Sequence, residues 1–138
     1  RLVGSEMCIR DSMKDYSNAT KDLSHWYDSH TLPGVKALTE DRIDSYYETA
    51  DQAVRPELHP MFEIEPDKQL NFMYCLLHFR RIETVHEGLR WFDIKRFGIE
   101  IEHNIAGQAN DILTKDDPRR ALQLPADVIG AGMQPNPR

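Results

Sequence analysis

Residues 67–97 read DKQLNFMYCLLHFRRIETVHEGLRWFDIKRF, and the spacing of their apolar side chains decides the fold. The apolar positions recur every three or four residues, as on one face of an α-helix. Gly88 interrupts the pattern and indicates a break, because a glycine inside a helix costs roughly 1 kcal/mol relative to alanine. We therefore predict a long helix from Asp67 or Lys68, then a shorter helix over about 90–97. The predicted buried stripe consists of Phe72, Leu76, Phe79, Ile82, Val85, Leu89 and Phe92.

A second helix is predicted before this stretch, with Thr39 as its N-cap and acidic residues in its first turn. Its apolar positions have helical spacing, and it should end at about Ala53, before the next proline. Residues 13–37 are rich in Asp, Ser, Asn and His and contain a Pro-Gly pair, which breaks the periodicity. We predict a loop there, with one helical turn near residues 23–27.

The chain after residue 98 gives weaker signals. Residues 99–113 fit either a strand followed by a loop or another helix, and turn residues dominate 114–120. Leu122 and Leu124 alternate with a polar residue as in a short strand, and Pro125 suits the first position of a single helical turn. The predicted fold class is therefore mainly α, with long irregular loops.

Composition excludes several classes of protein. The chain has 138 residues, 40% of them hydrophobic, and a formal net charge of -6. That length fits one modest domain. The net negative charge argues against a general nucleic-acid binder, which normally carries a basic surface. No apolar run approaches the ~20 residues that a membrane-spanning helix needs. Two cysteines alone make neither a disulfide framework nor a zinc site.

The first twelve residues, RLVGSEMCIRDS, share no periodicity with the rest and do not form a signal peptide. Their last six, MCIRDS, resemble the translated end of an adapter used in sequencing libraries. A natural N-terminal arm is the alternative. We exclude residues 1–12 from the fold prediction in either case.

Motifs for catalysis, metals or cofactors are absent from the sequence. His86-Glu87 does not extend to H-E-x-x-H, and Glu100-x-x-His103 occurs once where a di-iron site needs two copies. Cys75 lies on the apolar helix, where a buried thiol is inert. We therefore predict no metal, no cofactor and no enzymatic activity. Acidic residues before residue 70 leave open an enzyme that uses paired carboxylates.

Aromatic pairs are the better candidates for ligand contact. Trp26 and Tyr27 fall in the predicted polar loop, where a flat ring could stack on the apolar face of a sugar. We take these two as candidate ligand-binding residues. Tyr46 and Tyr47 have helical spacing, which predicts that they are core or half-buried side chains.

The stretch LHFRRIETVHEGLRWFDIKRFG at 77–98 resembles the signature helix of the SusD/RagB family, the outer-membrane glycan-binding lipoproteins of Bacteroidetes. Phe79 departs from the Glu that the family often has. The tail LQLPADVIGAGMQPNPR resembles the family's closing segment, although Arg138 replaces the usual Gly-Tyr ending. The residues that fall on the family motif are Arg80, Arg81, Glu83, Glu87, Gly88, Arg90, Trp91, Asp93, Arg96 and Gly98.

The resemblance implies a fold, a location and a partner. Family members are several times longer than this chain, mostly helical with tetratricopeptide-like helices, and not enzymes. A lipid-modified cysteine anchors them to the outer membrane, where they pass glycans or other nutrients to a SusC-like TonB-dependent transporter. Residues 13–138 would then be the C-terminal portion of such a domain, and the charged motif residues would be structural. An anion or sugar-hydroxyl clamp is the alternative role for those charges, and a small helical interaction module without a ligand is the alternative function.

Sequencing the source DNA across the codon for Met13 tests the adapter hypothesis. We expect the reading frame to continue upstream for several hundred codons, to a lipoprotein signal beside a transporter gene. A genuine start codon at Met13 would contradict the hypothesis and favour the interaction module.

Overall fold

The computed structural model describes residues 13–137, so the predictions for residues 1–12 lie outside the described residues. The fold is mainly α-helical, as predicted. The elements in chain order are helices α1 (Tyr16–His30), α2 (Glu40–Thr49), α3 (Lys68–Glu83) and α4 (Arg90–Arg96), strands β1 (Ile101–His103) and β2 (Asp111–Leu113), a 3-10 turn (Pro118–Arg120) and helix α5 (Ala126–Gly130).

The described chain divides into two compact units. The helical unit comprises residues 13–56 and 62–91 and contains α1, α2 and α3. The C-terminal unit comprises residues 57–61 and 92–137 and contains the strands, the 3-10 turn and α5. Helix α4 begins in the first unit and ends in the second.

Helix α1 replaces the loop predicted for the beginning of the chain, and that prediction is wrong. The Asp15 carboxylate caps the helix by accepting a hydrogen bond from the Asn18 backbone N–H at 3.4 Å. Ala19, Leu23 and Trp26 form a narrow buried stripe at i, i+4 and i+7. The polar residues that obscured this pattern lie on the other faces of the helix.

Helix α2 begins as predicted, with the Thr39 hydroxyl accepting a hydrogen bond from the Arg42 backbone N–H at 3.3 Å. It ends at Thr49, earlier than the predicted Ala53. The Asp51 carboxylate accepts a hydrogen bond from the Ala53 N–H at 3.0 Å, a local turn that competes with the helix. Tyr47 is buried, whereas Tyr46 is 51% exposed.

Helix α3 begins at Lys68 as predicted and is buried on every side from residue 71 to residue 77. The predicted single stripe is therefore too narrow for this part of the helix. Beyond it the stripe is wrong, because Ile82 is 52% exposed and Val85 is 65% exposed. The predicted break is confirmed, since α3 ends at Glu83 and Gly88 has a φ of 68°.

Polar contacts join α2 to α3 within the helical unit. The Lys68 ammonium lies 2.5 Å from a Glu40 carboxylate oxygen, and the Asn71 amide donates to Asp44 at 3.2 Å. Asn71 is only 3% exposed, so this hydrogen bond satisfies a polar group that burial would otherwise leave unpaired. These contacts fix the position of α2 along α3.

Residues 99–113, for which the sequence predicted either a strand followed by a loop or another helix, form a β-hairpin in the C-terminal unit. Strands β1 and β2 are antiparallel, with Ile101 opposite Leu113 and His103 opposite Asp111. The short strand predicted around Leu122 and Leu124 is not formed. There the Gln123 side chain instead bonds the backbone of Asn136, accepting from its N–H at 2.9 Å and donating to its carbonyl at 3.2 Å.

Arg120 forms the polar centre of the C-terminal unit. Its side chain is 6% exposed and donates to the carbonyl oxygens of Thr114 at 2.5 Å and Leu113 at 3.2 Å. It also donates to the carbonyls of Ile94 and Ile99. One side chain therefore ties α4, the segment after it and the end of β2 together.

Gly98 brings the segment after α4 against residue 59. Its φ is 61°, and a Cβ added there would lie 2.4 Å from the His59 carbonyl oxygen. The His59 N–H donates to the Phe97 carbonyl at 2.8 Å, which holds the two segments at this separation. A side chain at position 98 would thus break the contact between these two segments as well as strain the backbone.

We expect Gly98→Ala to destabilise the C-terminal unit by about 2–5 kcal/mol, the sum of left-handed backbone strain and steric overlap. Gly107→Ala is the matched control, because Gly107 also has a positive φ but open space around it. It should cost only about 1–2 kcal/mol. Urea unfolding followed on amide resonances of this unit measures both, and equal losses would show that the contact with His59 has no energetic role.

Candidate functional site

The helical unit contains a pocket of about 340 Å³ between its three helices. Its wall includes Leu38, Arg42, Ile43 and Cys75, but rings dominate it. This pocket is the candidate ligand site, because small-molecule sites are concave and mostly apolar with few polar groups. The ring-bearing residues that line it are Trp26, Tyr27, His30, Tyr46, Tyr47, His78 and Phe79.

Trp26 lies in the pocket wall, packed among other rings. Its ring stacks on His30 with centroids 4.3 Å apart and on Phe79 with centroids 4.7 Å apart. Trp26 is 7% exposed, so little of its ring surface is open to a stacking sugar. The loop on which the stacking prediction for Trp26 was based does not exist. Its buried indole N–H also has no hydrogen-bond acceptor within residues 13–137.

Tyr27 and Tyr46 present rings nearer the pocket opening. Tyr27 is half-buried and lies parallel to Phe79, with centroids 6.0 Å apart. The Tyr46 ring contacts the Tyr47 ring edge-on, with the two ring centroids 4.9 Å apart, and about half of the surface of Tyr46 is exposed. Of the two candidates from the sequence, Tyr27 keeps the more accessible ring, and Tyr46 is a further exposed ring of the pocket.

Arg42 is the cation of the pocket, and sequence reasoning missed it. The guanidinium donates to the carbonyls of Lys36 and Ala37, and it lies 5.7 Å from the Tyr27 ring centroid. Its other terminal nitrogen makes only a long contact, 3.4 Å, to the Tyr27 hydroxyl. Within residues 13–137 no carboxylate pairs with Arg42.

The inner wall is formed by Tyr47, Cys75 and His78. The Tyr47 hydroxyl lies 2.9 Å from His78 Nδ1, and burial raises the pKa of Tyr47. Burial also raises the pKa of the Cys75 thiol to about 12, against a smaller opposite effect of its hydrogen bond to Tyr47. Cys75 is fully buried, which confirms the predicted buried thiol, and it is protonated at neutral pH.

The pKa of His78 is lowered, first by burial and then by the nearby guanidinium groups of Arg81 and Arg90. The folded helical unit therefore favours the neutral imidazole. Neutral Nδ1 can accept the hydrogen bond from the Tyr47 hydroxyl, whereas a protonated ring cannot.

The family-motif residues are separate from the pocket, and none of them lines it. Arg80, Arg81 and Glu83 end α3, Glu87 and Gly88 lie in the following turn, and the others lie on or after α4. Asp93 is 4% exposed, and Gly98 is buried. The structural role predicted for the charged motif residues stays a prediction. The alternative role, an anion or sugar-hydroxyl clamp, also stays a prediction.

No group of three or more His, Cys, Asp or Glu side chains in residues 13–137 could hold a metal ion. No helix in the same residues is long and apolar enough to span a bilayer.

Acid should destabilise the helical unit through His78. Because the folded state lowers the pKa of His78 from 6.5, the unfolded state binds more protons below that pH, and stability is lost as the pH falls. His78→Asn keeps a hydrogen-bond acceptor for Tyr47 without a titrating ring. We expect its urea midpoint to fall less steeply than that of the wild type between pH 7 and pH 5. His25→Asn, at an exposed position on α1, is the control, and equal slopes in all three proteins would contradict the prediction.

The chain matches no protein-family model, no curated protein and no solved structure. The resemblance of residues 77–98 and of the C-terminal tail to the SusD/RagB family therefore stays a prediction from those motifs. The structure itself establishes a mainly α-helical chain whose helical unit contains an aromatic pocket.

Proposed function

We propose that this chain belongs to a SusD-like protein that binds a glycan or another nutrient without cleaving it. The observation that carries the proposal is the sequence at 77–98 together with the tail block. The structure supplies a physical reason for two motif positions, because Gly88 and Gly98 both have positive φ values. A motif with glycine at these two positions specifies the backbone conformation around α4. A structural role of this kind is what the resemblance implies for the motif residues.

The aromatic pocket supports a binding role. A flat ring can stack on the apolar face of a sugar, and Tyr46 and Tyr27 present ring surface at the pocket. Hydroxyl and imidazole groups of Thr31 and His30 also line it, and such groups hydrogen-bond sugar hydroxyls. A site that binds a sugar without cleaving it needs only such stacking rings and hydrogen-bonding groups.

Location and partner in the proposal come from the resemblance alone. The protein would be a surface-exposed lipoprotein of the outer membrane, attached through a lipid anchor, and it would deliver its ligand to a SusC-like TonB-dependent transporter. The helical fold of residues 13–137 is compatible with this role.

A protein-interaction module is the second candidate, and exposed apolar residues favour it. Ile82 and Val85 are exposed at the end of α3 and in the turn after it, and Leu32 is 80% exposed after α1. Ile82 also lines the pocket, and a contiguous exposed apolar surface is typical of sites that bind a protein partner.

Calorimetry with a panel of soluble neutral and acidic oligosaccharides tests the first candidate. We expect at least one to bind and to be recovered uncleaved, and crosslinking on cells to capture a TonB-dependent transporter. Tyr46→Ala should weaken binding about tenfold by removing a stacking ring. Phe62→Ala removes an exposed aromatic outside the pocket and should have no effect.

Failure of every oligosaccharide together with failure to capture a transporter would overturn the proposal. Cleavage of a bound glycan would also overturn it, since the proposal excludes catalysis. Capture of a different protein through the end of α3 and the turn after it, abolished by Val85→Lys, would favour the interaction module.

A further inference from the structure

We propose that the pocket of the helical unit binds an acidic sugar, a pyranose ring that bears a carboxylate, with Arg42 as the carboxylate ligand. This inference rests on the proposed function, because it names the glycan class that the pocket would take. It concerns Arg42 and the rings around it, and two motif residues, Arg81 and Arg90, contribute only through their charge.

Arg42 carries a charge that no carboxylate of the described residues pairs with. The side chain is half-buried beside the pocket, and no carboxylate within residues 13–137 neutralises it. A guanidinium is a planar fork of donors whose geometry matches a carboxylate. Nη1 donates to the carbonyls of Lys36 and Ala37, which fixes the orientation of the guanidinium. Nη2 has only the long contact to the Tyr27 hydroxyl and can donate to an anion.

Cations lie near the inner wall of the pocket. His78, in the pocket wall, has a lowered pKa partly because the guanidinium groups of Arg81 and Arg90 act on it. Together with Arg42, these cations favour an anionic ligand and disfavour a cationic one, although the chain as a whole is acidic. Charge complementarity therefore distinguishes an acidic sugar from a neutral or amino sugar.

The size and lining of the pocket suit one sugar ring. A volume of about 340 Å³ is near the lower limit of small-molecule sites, which suits a single sugar ring. Tyr27 is both a wall of the pocket and the ring over which Arg42 lies. A sugar ring stacked against the tyrosines would thus have its carboxylate within reach of the guanidinium.

Two methyl glycosides that differ at one carbon test the inference. Methyl β-D-glucuronoside has a carboxylate where methyl β-D-glucoside has a hydroxymethyl group. The ¹H–¹⁵N resonance of the Trp26 indole reports occupancy, because Trp26 lines the pocket and Trp91 does not. The Trp91→Phe variant assigns the two indole signals. We expect the glucuronoside to shift the Trp26 signal saturably, with about tenfold higher affinity than the glucoside.

Arg42→Met should remove this difference, so that the two glycosides bind equally weakly. Arg55→Met is the matched control, since Arg55 also lies over a tyrosine ring and donates to a backbone carbonyl, but away from the pocket. Should Arg42→Met fail to fold, the salt dependence of the wild type replaces it. Affinity for the glucuronoside should then fall with added sodium chloride while affinity for the glucoside stays constant.

Equal binding of the two glycosides, or no shift of the Trp26 signal with either, would overturn the inference. If neutral oligosaccharides still bind the protein in calorimetry, the proposed function stands and only the acidic-sugar assignment fails. If no oligosaccharide binds and no transporter is captured, the proposed function fails as well.

Discussion

Burial of α3 on all sides is the constraint on which the helical unit depends. From residue 71 to residue 77 the helix has no exposed face, so every neighbouring segment must supply a surface that fits it. Ile43 and Tyr47 of α2 and Leu23 and Trp26 of α1 are among the buried side chains of this unit. A helix buried all round cannot shift without disturbing all its neighbours, because protein interiors are close-packed. Its position fixes the positions of α1 and α2.

The pocket is a consequence of this arrangement. Large aromatic side chains from α1, α2 and α3 meet near Phe79. Flat rings do not completely fill the space between three packed helices, and the space that they leave is the pocket. The floor of the pocket belongs to the buried helix, whereas Tyr46 and Arg42 belong to the more exposed α2. A rigid floor with a more accessible rim is a suitable basis for a selective binding site, since pre-organised groups lose little entropy when a ligand binds.

Local signals account for what the sequence predicted correctly. The N-cap at Thr39, the start of α3 and the break at Gly88 depend on a few adjacent residues, and all three agree with the structure. Helix α1 was missed, although the cap at Asp15 and the spacing of Ala19, Leu23 and Trp26 were signals for it. The pocket could not be predicted, because it joins side chains from helices far apart in the chain, one of which had been assigned to a loop. Burial at the end of α3 also depends on tertiary neighbours, which a periodic pattern does not specify.

The polar centres of the two units differ in kind. Arg120 binds backbone carbonyls through a guanidinium, which stays protonated over the whole range in which proteins fold. Its hydrogen bonds therefore do not depend on pH, whereas the contact between Tyr47 and His78 does. Protonation of His78 would therefore remove the hydrogen bond that Tyr47 donates to it in the inner wall of the pocket, and it would leave the hydrogen bonds of Arg120 unchanged. The same protonation would place a second positive charge in the wall that Arg42 lines.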